Sequence, residues 1–274
     1  MTRIKENYEH RSQNQLLRRT PVIMRLDGKA FHTYTKSLNK PFDEGLMEDM
    51  QETTIQLCKE IQGVKCAYTQ SDEISILITD YDGLDTQAWF DYNIQKMTSI
   101  SASMASGKFN QLRLLREFQG DSDGDKLYGI TENITLANFD SRVFNIPKEE
   151  VNNYFIARQR DATRNSISML AQSLYSHHEL HGVDQNQMQE LCFQKGHNWN
   201  DLHYTKKRGS FIVKNTYVNN ERAEIDNDIY QVYEDGELID MEWIPLKESD
   251  VIRTKWELIE TPHFSKSNII NSLL

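Results

Sequence analysis

Apolar positions between residues 21 and 147 change their period several times, and each change predicts an element. Val22, Ile23, Met24 and Leu26 follow Pro21 as a short apolar run ended by Asp27-Gly28, which predicts a strand. From Asp43 the apolar residues Leu46, Met47, Met50, Leu57, Cys58 and Ile61 fall on one helical face, and Gly63 stops it. Residues 65–69 and 74–79 predict two strands joined by Gln70-Ser71-Asp72-Glu73, a hairpin whose turn carries acids. Residues 87–117 predict a long helix (Trp89, Met97, Ile100, Met104, Leu112) with an interruption at Gly107. A polar loop over 120–125 leads to one or two strands over 130–144, closed by Pro147. The order strand, helix, strand, strand, helix, strand predicts an α+β, two-layer fold. Its antiparallel sheet has split β-α-β topology, with helices on one face.

The rest of the chain reads differently. Residues 1–19 are polar and basic with helical spacing at Tyr8 and Leu16, and 148–176 and 184–195 predict helices. Residues 209–218 alternate as a strand, and 229–233 and 237–243 flank Glu234-Asp235-Gly236 as a hairpin. The expected organisation is a core over residues 1–147 and a helical and hairpin C-terminal extension over 148–274, packed as one structural unit.

Composition narrows the class. With 274 residues, 38% hydrophobic and 26% charged, the chain has the balance of a soluble globular protein with ample length for a core. No run approaches the ~20 apolar residues of a membrane span. The first residues lack the apolar centre of a secretory signal, and Cys58, Cys66 and Cys192 form no C-x-x-C pair. A reduced, cytoplasmic setting without a membrane partner is expected. The net charge of −10 argues against a polyanionic partner until its distribution is considered. Residues 221–274 hold 13 acids against 5 bases, leaving 28 against 26 in residues 1–220. The larger part is nearly balanced and free to present a basic face.

The sharpest chemical feature is Asp27 with Asp72. If their strands are neighbours, two carboxylates and the Gly28 carbonyl converge at one end of the sheet. Hard divalent cations take such oxygens together with phosphates. Gly28 lets backbone approach a ligand closely. Lys29, His32, Lys36 and Lys40 follow within a short stretch, and lysines hold phosphate as point charges. Singly each feature fits a solvated turn; together they point to a nucleotide polyphosphate.

Residues 24–32 (MRLDGKAFH), 40–43 (KPFD), 67–73 (AYTQSDE), 138–143 (NFDSRV), 158–162 (RQRDA), 199–202 (WNDL) and 207–209 (KRG) occur in this order. In combination they resemble the signature blocks of the tRNA-His guanylyltransferase family. The resemblance covers roughly residues 20–215, with an echo at 261–264. It implies a polymerase-palm-like core and an enzyme that adds GTP or other nucleotides to the 5′ end of tRNA, in the 3′-to-5′ direction. ATP first adenylylates the 5′ phosphate, and the 3′-hydroxyl of the incoming nucleotide then displaces AMP. It further implies two Mg²⁺ held by Asp27, the Gly28 carbonyl and Asp72, with Asp27 and Asp72 catalytic. The nucleotide would be wrapped by Asp27, Gly28, Lys29, Ala30, Phe31, His32, Ser71 and Asp72, with Lys40, Ser71 and Arg142 on phosphates. A homotetramer is implied as well. Eukaryotic members carry a His-Ile-Asn-Asn-Leu-Tyr-Asn block where this chain has residues 163–169 (TRNSISM), sharing Asn165. That departure favours the branch that repairs 5′ ends against a template over strict tRNA-His specificity.

Basic residues suggest where tRNA lies: Lys108, Arg113 and Arg116 on one helix, and Arg158, Arg160, Arg164, Lys206, Lys207 and Arg208 as a second surface. His177-His178-Glu179-Leu180-His181 departs from the H-E-x-x-H zinc pattern and reads as a polar helix end. Asn133-Ile134-Thr135 is a glycosylation sequon in a chain without a secretory signal. Two other functions compete: a palm-type nucleotidyl cyclase-like enzyme, and a catalytically silent tRNA-binding protein.

Overall fold

The computed structural model describes residues 2–119, 135–218, 230–234, 237–242 and 252–274. A six-stranded sheet has the order β4-β1-β3-β2-β5-β8. Its strands are β1 (Val22–Gly28), β2 (Val64–Gln70), β3 (Glu73–Ile78), β4 (Phe139–Asn145), β5 (Ser210–Val218) and β8 (Ile252–Ile259). The register described for β1 with β3 and β4, and for β2 with β3 and β5, is antiparallel throughout. The first four strands therefore realise the split arrangement, with β5 added beyond β2. β6 (Tyr230–Glu234) and β7 (Glu237–Glu242) pair as the expected hairpin; Asp235 and Gly236 of its turn lie outside the described residues.

Alternation along the strands makes two cores. Met24 and Leu26 of β1 stand beside Val143 and Ser141 of β4, on the side of α1 (Glu44–Glu60) and α2 (Ile94–Gln119). There Phe31, Phe109 and Phe139 meet with ring centroids 5.2–5.6 Å apart. On the opposite face Ile23, Leu77, Cys66, Tyr68 and Phe211 pack with Val151 and Phe155 of α3 (Lys148–Leu174) and with Phe264. The two core helices share one face as expected, and α3 with the C-terminal segment covers the other. A smaller cluster of Leu170, Ala171, Leu180 and Cys192 docks α4 (Gln185–Gln194) on α3. α5 (Tyr204–Arg208) leads into β5 through Gly209.

Several local expectations are corrected. α2 runs unbroken through Gly107, where an added Cβ would meet nothing within 4 Å. The break lies earlier, at Phe90, Asp91 and Tyr92, whose φ angles are all positive, before Asn93 caps the helix by accepting from the Lys96 N–H. Residues 2–12 form a continuous helical run of changing pitch, none of residues 3–12 is buried, and the segment that follows is tied down by Arg18 to Asp80 and Asp91. Of the strands expected over 130–144, β4 is the described part. Residues 130–134 lie outside the described residues, as do the loop at 120–125 and the Asn133-Ile134 part of the sequon.

By contact density the chain forms two compact units, Met1–Val213 with Leu258–Leu274, and Lys214–Glu257. That division falls within β5 and β8. All three cysteines are buried and free. No helix among the described residues is long and apolar enough to cross a membrane.

Candidate active site

β1 delivers Asp27 to one end of the sheet, directly opposite Glu73 of β3 and Asp140 of β4. The Gly28 N–H donates to the Asp72 carbonyl at 3.1 Å, so the strand end and the β2–β3 turn are joined there. That turn has two residues, and Ser71 takes the left-handed region at φ 51°, a conformation costly for a residue with a Cβ. The Ser71 hydroxyl donates to Asp72 Oδ1 at 3.1 Å. Burial, and then the charge of Asp27, pushes the Asp72 carboxyl above its ordinary pKa, against hydrogen bonds from its own backbone and from Ser71.

Glu73 was not assigned a role by its place in the turn, yet it centres the charge network. Arg25 Nη2 lies 3.0 Å from Asp27 Oδ2 and 2.9 Å from Glu73 Oε2. Arg158 of α3 reaches the same Glu73 oxygen at 3.1 Å and holds Asp161 at 2.5 Å. Ser75 and Tyr154 share a 2.8 Å hydrogen bond beneath it. Burial outweighs the two guanidiniums and raises the Glu73 pKa. Two arginines thus fix a buried acid, and one of them also orients Asp27. The signal was in the sequence: Arg25 and Asp27 sit two apart on a strand and must share a face. Arg158, expected on RNA, turns inward instead.

The residues after Gly28 divide by chemistry. The Lys29 N–H donates to the Asn138 carbonyl at 2.8 Å, and Ala30 is left-handed at φ 55°. Lys29 and His32 are exposed. Phe31, expected around the nucleotide, keeps its side chain in the aromatic core at 4% exposure, so only its backbone faces that task. A Cβ on Gly28 would lie 2.2 Å from the Phe31 ring. Lys40 is exposed with Nζ 3.3 Å from the Thr35 carbonyl. Arg142 pairs with Asp140 at 2.7 Å and stands opposite Arg25 in register.

Beside Ser71 a small cavity of about 80 Å³ is bounded by Asp43 and Leu46 of the α1 start, Gln70, Asn165 of α3, and Lys206. Lys206 pairs with Glu44 at 2.8 Å, and Lys207 donates to the Asn200 carbonyl at 2.6 Å. Arg208 Nη1 lies 2.8 Å from His263 Nε2, and Arg164 pairs with Asp161. Lys108 is half-buried and donates to Gln111 Oε1 at 3.2 Å, whereas Arg113 is drawn into an ion pair with the buried Asp49 at 3.1 Å. The structure separates the two expected RNA-contact groups, because Lys108 and Arg113 lie on α2 and the others around α3 and α5. His177, His178 and His181 are exposed in turns after α3.

Among the described residues no group of three His, Cys, Asp or Glu side chains is placed to hold a metal. The site's own donors are two carboxylates, Asp27 and Asp72, with backbone carbonyl oxygen nearby. That set fits Mg²⁺, which takes one or two carboxylates and completes its octahedron with phosphates and water. The raised pKa of Asp72 comes first from burial, with the charge of Asp27 adding to it.

Comparison with known proteins agrees with this geometry. The family model for tRNAHis guanylyltransferase (Thg1) matches residues 1–147. A bacterial tRNA(His) guanylyltransferase-like protein solved in complex with ATP superposes with a TM-score of 0.76 at 39% identity, over 100% of this chain and 98% of that one. A bacterial protein of the same description in complex with GTP gives 0.70 at 40% identity, over 95% and 92%. The probable tRNA(His) guanylyltransferase of Dictyostelium discoideum is 25% identical over 213 residues, 73% of this chain and 77% of that protein. With the palm-like sheet, the paired aspartates and the matched core together, the chain belongs to the tRNA-His guanylyltransferase family of nucleotidyltransferases.

Proposed function

We propose that this protein extends the 5′ end of tRNA by template-dependent nucleotide addition, as an end-repair enzyme without strict dependence on tRNA-His. ATP is its activating nucleotide, and GTP, with other nucleoside triphosphates where the template asks for them, is its building block. The observation that carries the reading is the junction of Asp27-Gly28 with the strained Ser71-Asp72 turn at one end of the sheet. Binding of ATP and GTP by structurally similar bacterial proteins supports it. The departure at residues 163–169 supports the wider substrate range.

Asp27 and Asp72 would hold two Mg²⁺, with the Gly28 carbonyl as a further oxygen. What those ions supply when bound is neutralisation of charge on the attacking and leaving oxygens. Backbone from Lys29 to His32 and the Ser71 hydroxyl orient the nucleotide, and Lys40, Lys29 and Arg142 offer cationic partners to its phosphates. Arg25, held between Asp27 and Glu73, keeps the carboxylate aimed before any ligand arrives. Lys206, Lys207, Arg208 and Arg164 are the tRNA contacts in this reading, with Lys108 as an outlying one. Assembly as a homotetramer and a cytoplasmic setting complete it, and sedimentation reads the first.

The test is a tRNA lacking its 5′ nucleotide and labelled at its 5′ monophosphate, supplied with ATP, Mg²⁺ and each triphosphate in turn. Expected is lengthening by the nucleotide that pairs with the opposite strand, on several tRNA species. Asp27→Asn and Asp72→Asn should each lower it by about 100-fold or more, the scale of lost charge stabilisation. Addition of G to tRNA-His alone, whatever the template base, would refute the repair reading.

A further inference from the structure

α3 carries a second set of charges that the nucleotide site does not use. An open groove of about 1300 Å³ is lined by Arg160, Asp161, Thr163 and Arg164 of α3 and by His263 and Ser265 of the C-terminal segment. Arg208 closes on His263 from the end of α5. Lys207 and Lys266 stand close enough for their charge to disfavour protonation of His263, after burial.

The C-terminal wall of the groove is built rather than draped. Gln159 is buried at 6% exposure, and its amide clamps two successive backbone groups. Its Nε2 donates to the Pro262 carbonyl at 2.7 Å, while its Oε1 accepts from the Phe264 N–H at 3.1 Å. Thr261 donates to the Gly209 carbonyl at 2.8 Å, and Phe264 is fully buried against Tyr68, Phe155 and Phe211. Side chains at 263, 265 and 266 therefore project from a fixed backbone. A guanidinium can only donate, so His263 Nε2 accepts from Arg208 and the neutral ring carries its proton on Nδ1, as a donor. The groove thus gathers donors and cations. Its carboxylate is Asp161, already shared between Arg158 and Arg164. Arg160 and Lys266 are exposed and form no ion pair with the described residues.

Cations brought together on a fixed scaffold in a chain of net charge −10 need an external anion. From this we infer that the groove between α3 and the Thr261–Lys266 segment seats the phosphodiester backbone of the RNA substrate, with Arg160, Arg208, His263 and Lys266 as its contacts. The inference rests on the reading of the protein as a tRNA-end enzyme and extends its Arg164 and Arg208 contacts to a groove with Arg160, His263 and Lys266. The groove is too wide for a single phosphate, and the spread of its donors over α3, the end of α5 and the C-terminal segment suits a strand of regularly spaced phosphates.

Binding of 5′-monophosphorylated tRNA, followed by fluorescence anisotropy across a salt series, tests this without needing turnover. Arg160→Gln with Lys266→Gln should weaken binding roughly tenfold or more and reduce the salt slope by about two, since each lost phosphate contact removes about 0.7–0.9 from it. The double variant should keep the wild-type Tm, because both side chains are exposed, and Arg160→Lys should restore most of the affinity. Wild-type affinity and slope in the double variant would overturn the groove, as would a wild-type protein that binds no tRNA. If the wild type binds with groove-dependent salt sensitivity yet never lengthens the 5′ end, the end-repair reading fails and the groove stands.

Discussion

Asp72 sits where an ionised carboxylate is least stable, partly buried and next to another acid. Its folded-state pKa lies above the unfolded value near 3.8. A raised carboxyl pKa stabilises the fold only below the unfolded value, and that contribution is lost as pH rises through the folded one. At neutral pH the ionised Asp72 is therefore a cost to stability. Asp72→Asn, measured in metal-free buffer, should raise Tm by a few degrees at pH 7.5 while removing activity, with the gain shrinking as pH falls to 4. A variant less stable than wild type at pH 7.5 would contradict this. Residues of this kind were legible in the sequence because Asp27, Gly28 and Asp72 belong to short contiguous motifs. Phe31 and Arg158 were not. A motif records that Phe31 is needed but not that the need is a packed ring under Gly28. Helical spacing gives the face of Arg158 but not the buried acid across the gap.

Among the elements, α1 and α2 share one buried acid, while the exposed Glu48 pairs with Arg116 at 2.8 Å beside it. Asp49 has a side chain 2% exposed and pairs with Arg113 at 3.1 Å and Arg116 Nε at 3.0 Å. Removing one partner of a buried pair leaves the other uncompensated, at a cost of about 3–5 kcal/mol. Asp49→Ala should lower the denaturation midpoint accordingly in an equilibrium urea titration, and replacement of Arg116, which is 39% exposed, should cost far less. Strand identities and the acidic hairpin turn were readable from alternation and turn chemistry. The place of β5 beyond β2 was not, and the β1–β4 register, with pairs 111–123 residues apart from Gly28 with Phe139 to Val22 with Asn145, exists only in the fold. The kink before α2 was also hidden: left-handed φ at Phe90, Asp91 and Tyr92 defies residue preference and is held by the surrounding contacts of Arg18 with Asp91 and Thr86.

At the scale of the whole molecule, β1 and β3 are hydrogen-bonded on both edges and carry fully buried side chains such as Met24, Leu26, Ile74 and Ile76. Their amides should exchange last in native-state hydrogen exchange, close to the global unfolding free energy, and the turns of residues 2–12 first. Faster exchange in β1 than in α4 would contradict the layout. The position of β1 has one more consequence, for synthesis. A ribosome releases Asp27 early, Asp72 soon after, and the β4 and α3 partners of that strand end only once Arg158 has emerged. A nascent chain therefore cannot join the Asp27–Asp72 strand end to the Arg158 that braces it until residues through 158, more than half of the 274, have left the exit tunnel.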